Sequence, residues 1–295
     1  MKKGKPDDTS LYGQKDQMTY EVIQVPKTTG VRFFTSVDPG SYIPKHWHHA
    51  LEIIYMQEGE LTVMSGAAVR QLHAGECILI NTGEIHSTKC TAPNKAVVFQ
   101  IPMEFMQQYI PDVQQLHFSL DEPTDNPVRN TKLTIFKETL TQMQIANDIR
   151  PEGFVLRFNS LLFEIMFQLY HNFSVRVFRA NRNQKDRDMA RLNRVLEYTA
   201  KYYNQPISIE EIAGVAYLQA EYFCRFFKKC MGITYLEYQN ELRLSHIYQD
   251  LITTEDTIQE ILERHGFSNY KLFRRVFYQH FNGTPTEVRA NRRKC

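Results

Sequence analysis

Two arginines, Arg225 and Arg275, lie 50 residues apart inside two copies of one sequence pattern near the C-terminus of the 295-residue chain. In each copy a Phe-x-x-x-Phe spacing places two aromatic rings on one face of a helix and the arginine on the opposite face. An arginine can donate two parallel hydrogen bonds to guanine, and a helix fits the DNA major groove. The spacing therefore predicts one DNA-reading helix in each copy.

Other charged or hydrogen-bonding side chains share the outward faces of these two helices. The candidate DNA-binding residues are Glu221, Cys224, Arg225, Lys228, Lys271, Arg274 and Arg275. For one such helix alone, a small helical bundle with a solvated basic face would be the favoured interpretation. Because an arginine recurs at the same place in both copies, the DNA-binding interpretation is favoured.

Each copy begins with a sequence that caps a helix. Ser208 with Glu211 opens the first copy, and Thr257 with Glu260 opens the second, in the S/T-x-x-E pattern of a capping box. Gly266 supplies a turn residue that is free to take a positive φ. The pattern predicts helix, turn and helix in each copy.

A further helix is expected to join the two copies. It would begin at Thr234, capped with Glu237, and run to about Leu251. In the second copy Ser268 is expected to be the N-cap of the DNA-reading helix. The C-terminal part is thus predicted to be all-α.

The stretch from Met189 to the end resembles the DNA-binding domain of the AraC/XylS family of bacterial transcription regulators. Its most specific residues are Ile261, Gly266-Phe267-Ser268, Phe273, Arg275, Phe277, Phe281, Thr284-Pro285 and Arg289. The chain departs from the family pattern at Leu262, Asn282 and Tyr278, where alanine, glycine and lysine are usual. The resemblance implies two helix-turn-helix units, held by a linker helix, that enter successive major grooves.

A second group of residues that could bind a metal or a ligand lies in the N-terminal half. The spacing G-x5-H-x-H-x3-E-x6-G is complete in Gly40, His46, His48, Glu52 and Gly59. A second spacing is partly matched by Gly75, Gly83 and His86, with Asn81 and Cys90 replacing its proline and asparagine. These motifs resemble the cupin fold, a small β-barrel that is a common sensor domain in AraC/XylS regulators.

Three imidazoles and a carboxylate form a set that suits a transition metal. The same residues could instead line a pocket for a small-molecule effector, and we favour that interpretation, with no metal and no cofactor. The predicted ligand-binding residues are His46, His48, Glu52, His86 and Trp47. Two interpretations of Trp47 stay open, a core residue or a ring that stacks on a sugar-like ligand.

Short β-rich runs separated by Gly, Pro and Asn predict the barrel. The expected strands are Val31–Val37, Leu51–Met56, Glu60–Met64, Cys77–Ile80 and Ala96–Ile101. After a short helix, Met103–Ile110, and a loop, Asp121–Pro127, apolar residues at helical spacing predict helices over Asn130–Asn147 and Phe154–Tyr170.

The helix over Phe154–Tyr170 has more apolar residues than one buried face needs. One side is expected to cover the barrel. The other could belong to the same core or pair with a second subunit, and the family resemblance favours a homodimer. The predicted organisation is a flexible N-terminus (1–19), a cupin-like ligand-sensing and dimerisation domain (20–179), a linker (180–188) and a double helix-turn-helix domain (189–295).

Composition indicates the cellular compartment of the protein. A net charge of +2 is a weak nucleic-acid signal by itself, so the placement of the basic residues carries the argument. The five cysteines form no C-x-x-C pair and fit a reducing compartment. The polar N-terminus has no secretory h-region, and no apolar run approaches the ~20 residues that span a bilayer. We expect a cytoplasmic protein without membrane contact.

These patterns together predict a regulator that is not an enzyme. It would bind double-stranded DNA, respond to a small-molecule effector, sugar-like by resemblance, and act more as an activator than a repressor, with RNA polymerase as a partner. The alternative is a cupin metalloenzyme with an accessory helical domain, resting on the histidines and Glu52.

Overall fold

The structure is a computed structural model. It describes residues 23, 25–26, 28–66, 68–120, 125–177 and 182–292, the side chains of 182–186 and 291–292 excepted. The predicted flexible N-terminus, 1–19, lies outside the described residues.

The N-terminal half forms two four-stranded antiparallel sheets that face each other, as predicted for a cupin-like barrel. Sheet 1 has the order β1-β8-β3-β6 and sheet 2 the order β2-β7-β4-β5. The strands are β1 (Arg32–Asp38), β2 (Ser41–His46), β3 (Ala50–Glu58), β4 (Glu60–Ser65), β5 (Ala68–His73), β6 (Cys77–Ile80), β7 (His86–Cys90) and β8 (Asn94–Pro102). A small separate sheet pairs β9 (Leu116–Phe118) with β10 (Ser174–Arg176).

All five predicted strands are present, and Cys77–Ile80 has the predicted bounds. Strands β2, β5 and β7 were not predicted. Their sequences are rich in Lys, His, Ser, Thr and Gln, and β2 contains Pro44. Such strands lack the apolar and β-branched runs that mark a strand in sequence.

The helices occupy the outside of the barrel and the C-terminal half. They are α1 (Met103–Gln107), α2 (Pro127–Ile149), α3 (Phe154–Asn172), α4 (Arg182–Tyr202), α5 (Ile209–Val215), α6 (Ala220–Met231), α7 (Tyr235–Thr253), α8 (Ile258–Arg264), α9 (Tyr270–Phe281) and α10 (Pro285–Arg292).

Helices α2 and α3 cover the outer face of sheet 1. Phe136 of α2 and Leu162 and Ile165 of α3 are fully buried in one core with Phe99 and Leu51 of the sheet. The prediction that one side of the second long helix covers the barrel is confirmed.

The helix predicted to begin at Met189 begins earlier, at Arg182, so the described part of the predicted linker over 180–188 is helical. Lys, Arg, Gln and Asp fit a solvated helix as well as a linker. An all-polar stretch lacks the apolar period from which a helix is predicted.

The caps of the C-terminal helices largely follow the prediction. Thr234 with Glu237 and Thr257 with Glu260 form complete capping boxes at the starts of α7 and α8. The N-cap of α9 is the residue after Ser268, because the side chain of Asn269 accepts the hydrogen bond from the amide of Leu272. Two helix-turn-helix units, α5–α6 and α8–α9, are thus joined by α7.

Candidate functional site

The first candidate site is the outward face of α6 and α9, the second helix of each helix-turn-helix unit. Fully buried rings anchor both helices from below, Phe223 and Phe227 in α6 and Phe273 and Phe277 in α9. With these rings facing inward, the opposite face of each helix must face solvent.

The two helices have the same length and the same type of ending. Each spans 12 residues and stops at a left-handed residue, Gly232 at φ 73° and Asn282 at φ 50°. Asparagine tolerates this conformation better than most residues, so the departure from the family glycine leaves the helix end intact.

All seven side chains that are predicted to bind DNA are exposed on these two faces. They are Glu221, Cys224, Arg225, Lys228, Lys271, Arg274 and Arg275. Five of them are cationic, so the combined surface is basic although the net charge of the chain is only +2. Their role in DNA binding stays a prediction.

An open groove of about 640 Å³ follows the outward face of α9. Its lining is Tyr270, Lys271, Arg274, Arg275, Tyr278, Gln279, Thr284 and Pro285. Tyr270 and Tyr278 are not among the predicted DNA-binding residues, yet both are more than half exposed on this face. The signal was present in the spacing, because Tyr278 follows Arg275 by three residues and therefore shares its face.

The second candidate site is a buried polar cluster inside the barrel, formed by His46, His48, Glu52 and His86. None of these four residues is more than 8% exposed. Ring nitrogens of the three histidines lie within 4.8 Å of one another. His46 and His86 pair across the neighbouring strands β2 and β7, while Glu52 faces them from β3. The structure thus brings together four of the five residues predicted to bind a ligand.

Backbone carbonyls fix the orientation of the three imidazoles. The Nδ1–O distances are 3.0 Å from His46 to Pro44, 3.1 Å from His48 to Ala50 and 2.9 Å from His86 to Glu84. A carbonyl oxygen can only accept, so each Nδ1 carries a proton. A neutral ring in this orientation therefore offers a lone pair at Nε2.

Glu52 carries the negative charge of the cluster. Its Oε2 accepts hydrogen bonds from Nε2 of His48 at 3.0 Å and from Nε2 of Gln100 at 2.5 Å. Because His48 donates through both nitrogens, it is an imidazolium paired with the carboxylate. Burial alone would raise the pKa of Glu52, but the His48 hydrogen bond and the imidazole charges outweigh burial and lower it well below its usual range. Glu52 is therefore ionised at neutral pH.

His86 is in the opposite state. Burial lowers the pKa of His86, and Glu52, 3.8 Å from its Nε2, only partly opposes this effect. Its ring is therefore neutral at pH 7, and its buried Nε2 has no hydrogen-bond partner in the described part of the chain.

The cluster fits a divalent transition metal as well as an organic ligand. Imidazole nitrogens and a carboxylate are ligands of zinc, iron and manganese, and the lone pair of His86 has the orientation of a ligand. Binding would require His48 to lose the proton on Nε2. A metal held by His46, His48 and His86, with Glu52 beside it, would supply a positive charge that attracts an oxygen-bearing ligand. The prediction of no metal stays a prediction.

Gln100 belongs to this cluster and was missed in the sequence. It is 2% exposed on β8, donates to Glu52 and accepts a hydrogen bond of 3.1 Å from Arg32. A signal was available, because Gln100 is a polar residue between Phe99 and Ile101 in an apolar strand.

Trp47 lies outside the cluster, and its assignment as a ligand-binding residue is wrong. It is fully buried, but in the core of the first helix-turn-helix unit with residues that include Leu192, Leu196, Phe226 and Tyr238. Neighbours along an extended chain point to opposite faces, so the residue between His46 and His48 faces away from them. Of the two interpretations left open by the sequence, the core residue is the correct one.

Comparisons with known proteins agree with this division of the chain. A helix-turn-helix domain matches residues 212–291, and a cupin domain matches residues 33–102. An uncharacterized HTH-type transcriptional regulator of Staphylococcus aureus (strain COL) is 20% identical over 244 residues, 83% of this chain and 32% of that protein. The uncharacterized HTH-type transcriptional regulator YdeC of Bacillus subtilis (strain 168) is 23% identical over 258 residues, 83% of this chain and 85% of that protein. The chain spans about a third of the length of the Staphylococcus aureus relatives it matches.

Two solved structures are also similar. An AraC-type DNA-binding-domain regulator from Chromobacterium violaceum is 31% identical, with 35% of this chain and 93% of that chain covered and a TM-score of 0.33. ToxT from Vibrio cholerae, solved with an unsaturated fatty acid bound, is 14% identical, with 88% and 93% covered and a TM-score of 0.43.

The fold, the two exposed helices and the matched domains define a helix-turn-helix protein with a cupin barrel at its N-terminus. These two domains are the pair that the resemblance to AraC/XylS regulators implies. In the described part of the chain, no helix combines the length and apolar character that crossing a bilayer requires.

Proposed function

We propose that this chain is a sequence-specific DNA-binding transcription regulator that responds to a small molecule. The observation that carries the proposal is the duplication, in which two helices of equal length present Arg225 and Arg275 to solvent from equivalent positions. Solvation of a helical bundle does not explain why an arginine recurs at the same position of both helices. Base reading in two successive major grooves does explain it.

The side chains on the two faces divide into two roles. Arg225 and Arg275 read bases through paired hydrogen bonds to guanine. Lys228 and the amides at the helix N-termini hold phosphates and fix the register on the duplex. Glu221, Cys224, Lys271 and Arg274 complete the two surfaces.

The effector binds at the cluster of His46, His48, Glu52 and His86. A sugar-like metabolite is favoured by the family resemblance, and the chemistry of the cluster supports it. Hydroxyl groups can donate to the Glu52 carboxylate and to the imidazole lone pairs, and such bonds to charged groups are the strong ones. The effector then shifts the population of arrangements in which both recognition helices engage DNA.

A homodimer is the proposed assembly. The outward faces of α2 and α3 expose apolar side chains to solvent. On α3 these include Phe163, Phe167 and Tyr170, which are 41%, 57% and 42% exposed. Their spacing of four and three residues makes a continuous stripe, and such a stripe on a helix is typical of pairing with another helix.

The family resemblance supports the remaining parts of the proposal. The protein acts in the cytoplasm, is more an activator than a repressor, and works with RNA polymerase. The curated relatives are named transcriptional regulators, so the metalloenzyme alternative is set aside.

Retention of genomic DNA tests the proposal. Purified protein is incubated with fragmented DNA of its source organism, and the retained fragments are sequenced. The matched control is the Arg225→Ala, Arg275→Ala double variant, whose substitutions are at exposed positions and leave the core intact. We expect a few enriched sites that the control does not retain. Equal enrichment by both proteins would contradict the assigned roles.

A further inference from the structure

The outer face of sheet 2 packs directly against the DNA-binding half of the chain. Strand β2 contributes Tyr42 and Lys45 to this contact, and the register of β2 on β7 shifts between Ile43 and His46. Without that shift, strand alternation would place Tyr42 on the same face as His46. With it, both Tyr42 and Lys45 face the helices while His46 faces the barrel interior.

Two aromatic rings from the barrel enter the cores of the two helix-turn-helix units, one ring for each unit. Trp47 is fully buried in the core of the first unit. Tyr42 is 2% exposed in the core of the second unit, where its ring centroid is 6.1 Å from that of Phe281, edge to face. Each unit is therefore completed by a side chain of the barrel.

Two lysines from the barrel contact the ends of the two recognition helices, again one for each. Nζ of Lys45 donates to the carbonyl of Met231, the last residue of α6, at 3.0 Å. Nζ of Lys89, on β7, donates to the carbonyl of His280 in the last turn of α9. These carbonyls have no partner within their own helices, and the negative end of the helix dipole attracts a cation.

The contact is close as well as specific. A Cβ added to Gly40, in the turn before β2, would lie 2.7 Å from the hydroxyl of Tyr248 on α7. Tyr248 in turn stacks on Phe281 with ring centroids 4.4 Å apart. The barrel and the linker helix therefore leave no space for an extra methyl group at this point.

We propose that Tyr42, Lys45, Trp47 and Lys89 form a strand clamp that fixes the mutual placement of the two recognition helices. This inference rests on the proposed function, because the relative placement of the two helices affects function only if both helices read DNA. The clamp and the candidate effector residues His46 and His86 lie on opposite faces of the same two strands. An effector between these strands thus acts on the elements that hold both helices.

A distance measurement on the full chain tests the clamp without DNA. Spin labels are placed on the exposed Cys224 of α6 and on Lys271→Cys of α9, in a background with Cys230→Ser and Cys295→Ser. The remaining cysteines, Cys77 and Cys90, are buried. The distance distribution is then measured with the clamp intact and with Lys45→Met and Lys89→Met combined.

Methionine has about the length and the apolar stem of lysine. The substitution therefore removes only the ammonium group that donates to the carbonyl at the end of the helix. The matched control is Lys95→Met on β8 of sheet 1, whose acidic partner is Glu58 at 3.9 Å. We expect one narrow distance for the intact clamp and for the control, and a broadened or shifted distribution for the double variant. An unchanged distribution in a double variant that still melts cooperatively overturns the clamp.

Selection from random duplex DNA supplies the second readout. The intact protein is expected to select two sequence elements at one fixed spacing. The Lys45→Met, Lys89→Met variant is expected to select the same elements but to lose discrimination between spacings that differ by one base pair. The same fixed spacing in both proteins overturns the clamp while leaving DNA reading in place. A broadened distance distribution together with no selected sequence supports the clamp and contradicts the proposed function.

Discussion

Gly266 lies so close to Asn204 that a Cβ added to the glycine would be 1.8 Å from the asparagine's carbonyl oxygen. Asn204 lies between α4 and α5, just before the first helix-turn-helix unit, and Gly266 is the turn residue of the second unit, with φ +66°. The segment that leads into the first unit therefore meets the turn of the second backbone to backbone, and only glycine fits.

The first prediction is that Gly266→Ala destabilises the chain by more than about 3 kcal/mol, since the backbone of one unit must move away from the other. Gly83→Ala is the matched control, because Gly83 has nearly the same φ, +69°, with nothing within 4 Å of an added Cβ. The control is expected to cost about 1–2 kcal/mol, the strain of a left-handed alanine alone. Urea unfolding of both variants makes the comparison, and equal losses would contradict the contact.

The second prediction separates base reading from phosphate contact. Arg275→Ala should relax sequence preference at one base position by about 1–3 kcal/mol, because the paired hydrogen bonds to a base are lost. Lys228→Ala should weaken binding to all sequences alike and reduce the salt slope by about 1. Competition binding to retained fragments at several salt concentrations measures both. A loss of preference in Lys228→Ala and none in Arg275→Ala would reverse the assigned roles.

The third prediction concerns Glu241, a half-buried α7 residue at the contact between the barrel and α7. Burial raises the pKa of Glu241, the Tyr42 hydroxyl and the charge of Lys45 lower it less, and Glu237 adds to the rise. Between the usual and the raised pKa the folded chain keeps a proton that the unfolded chain has released. Stability therefore falls as pH rises through this window and stays lower above it.

The substitution Glu241→Gln removes the group that titrates and therefore this loss of stability at higher pH. We expect the gain in thermal midpoint from Glu241→Gln to be larger at pH 8 than at pH 4, where the native carboxyl is also neutral. Glu263→Gln, at an exposed position in α8, serves as the control and should give no such pH-dependent gain. If the gain in thermal midpoint from Glu241→Gln did not change with pH, the prediction would be wrong, because burial of the ionised carboxylate would then not destabilise the folded chain.

The fourth prediction tests the proposed dimer. Phe167→Glu should shift the protein toward monomer, because a charge in the middle of the apolar stripe on α3 must be desolvated when two helices pair. Val69→Glu is the control, at a barrel residue that is 68% exposed and away from α3. Light scattering during size exclusion over a range of concentrations measures the mass. Equal masses for wild type, variant and control would contradict pairing through this stripe.

Local signals in the sequence were enough for the C-terminal fold. Capping pairs such as Thr257 with Glu260, and rings at four-residue spacing such as Phe273 and Phe277, act within one helix, so their outcome does not depend on distant parts of the chain. The start of α4 was missed because a solvated helix needs no apolar period.

The residues that form the barrel site could be predicted from the sequence. Which neighbouring residues lie outside the site could not. The spacing of His46, His48 and Glu52 indicated a common site, and the structure places them together with His86. The role of Trp47 and the contacts of Lys45 and Lys89 depend on which surface the barrel presents to the helices. That choice is made by packing between segments about 190 residues apart, and no local pattern records it.

Guanine-N7 protection on a retained DNA fragment tests the central claim, that Arg225 and Arg275 each read a separate major groove. We expect two protected patches on one face of the duplex, about one helical turn apart. Arg225→Ala should remove one patch and Arg275→Ala the other. A single patch in the wild-type protein, or two patches that survive both substitutions, would contradict the account.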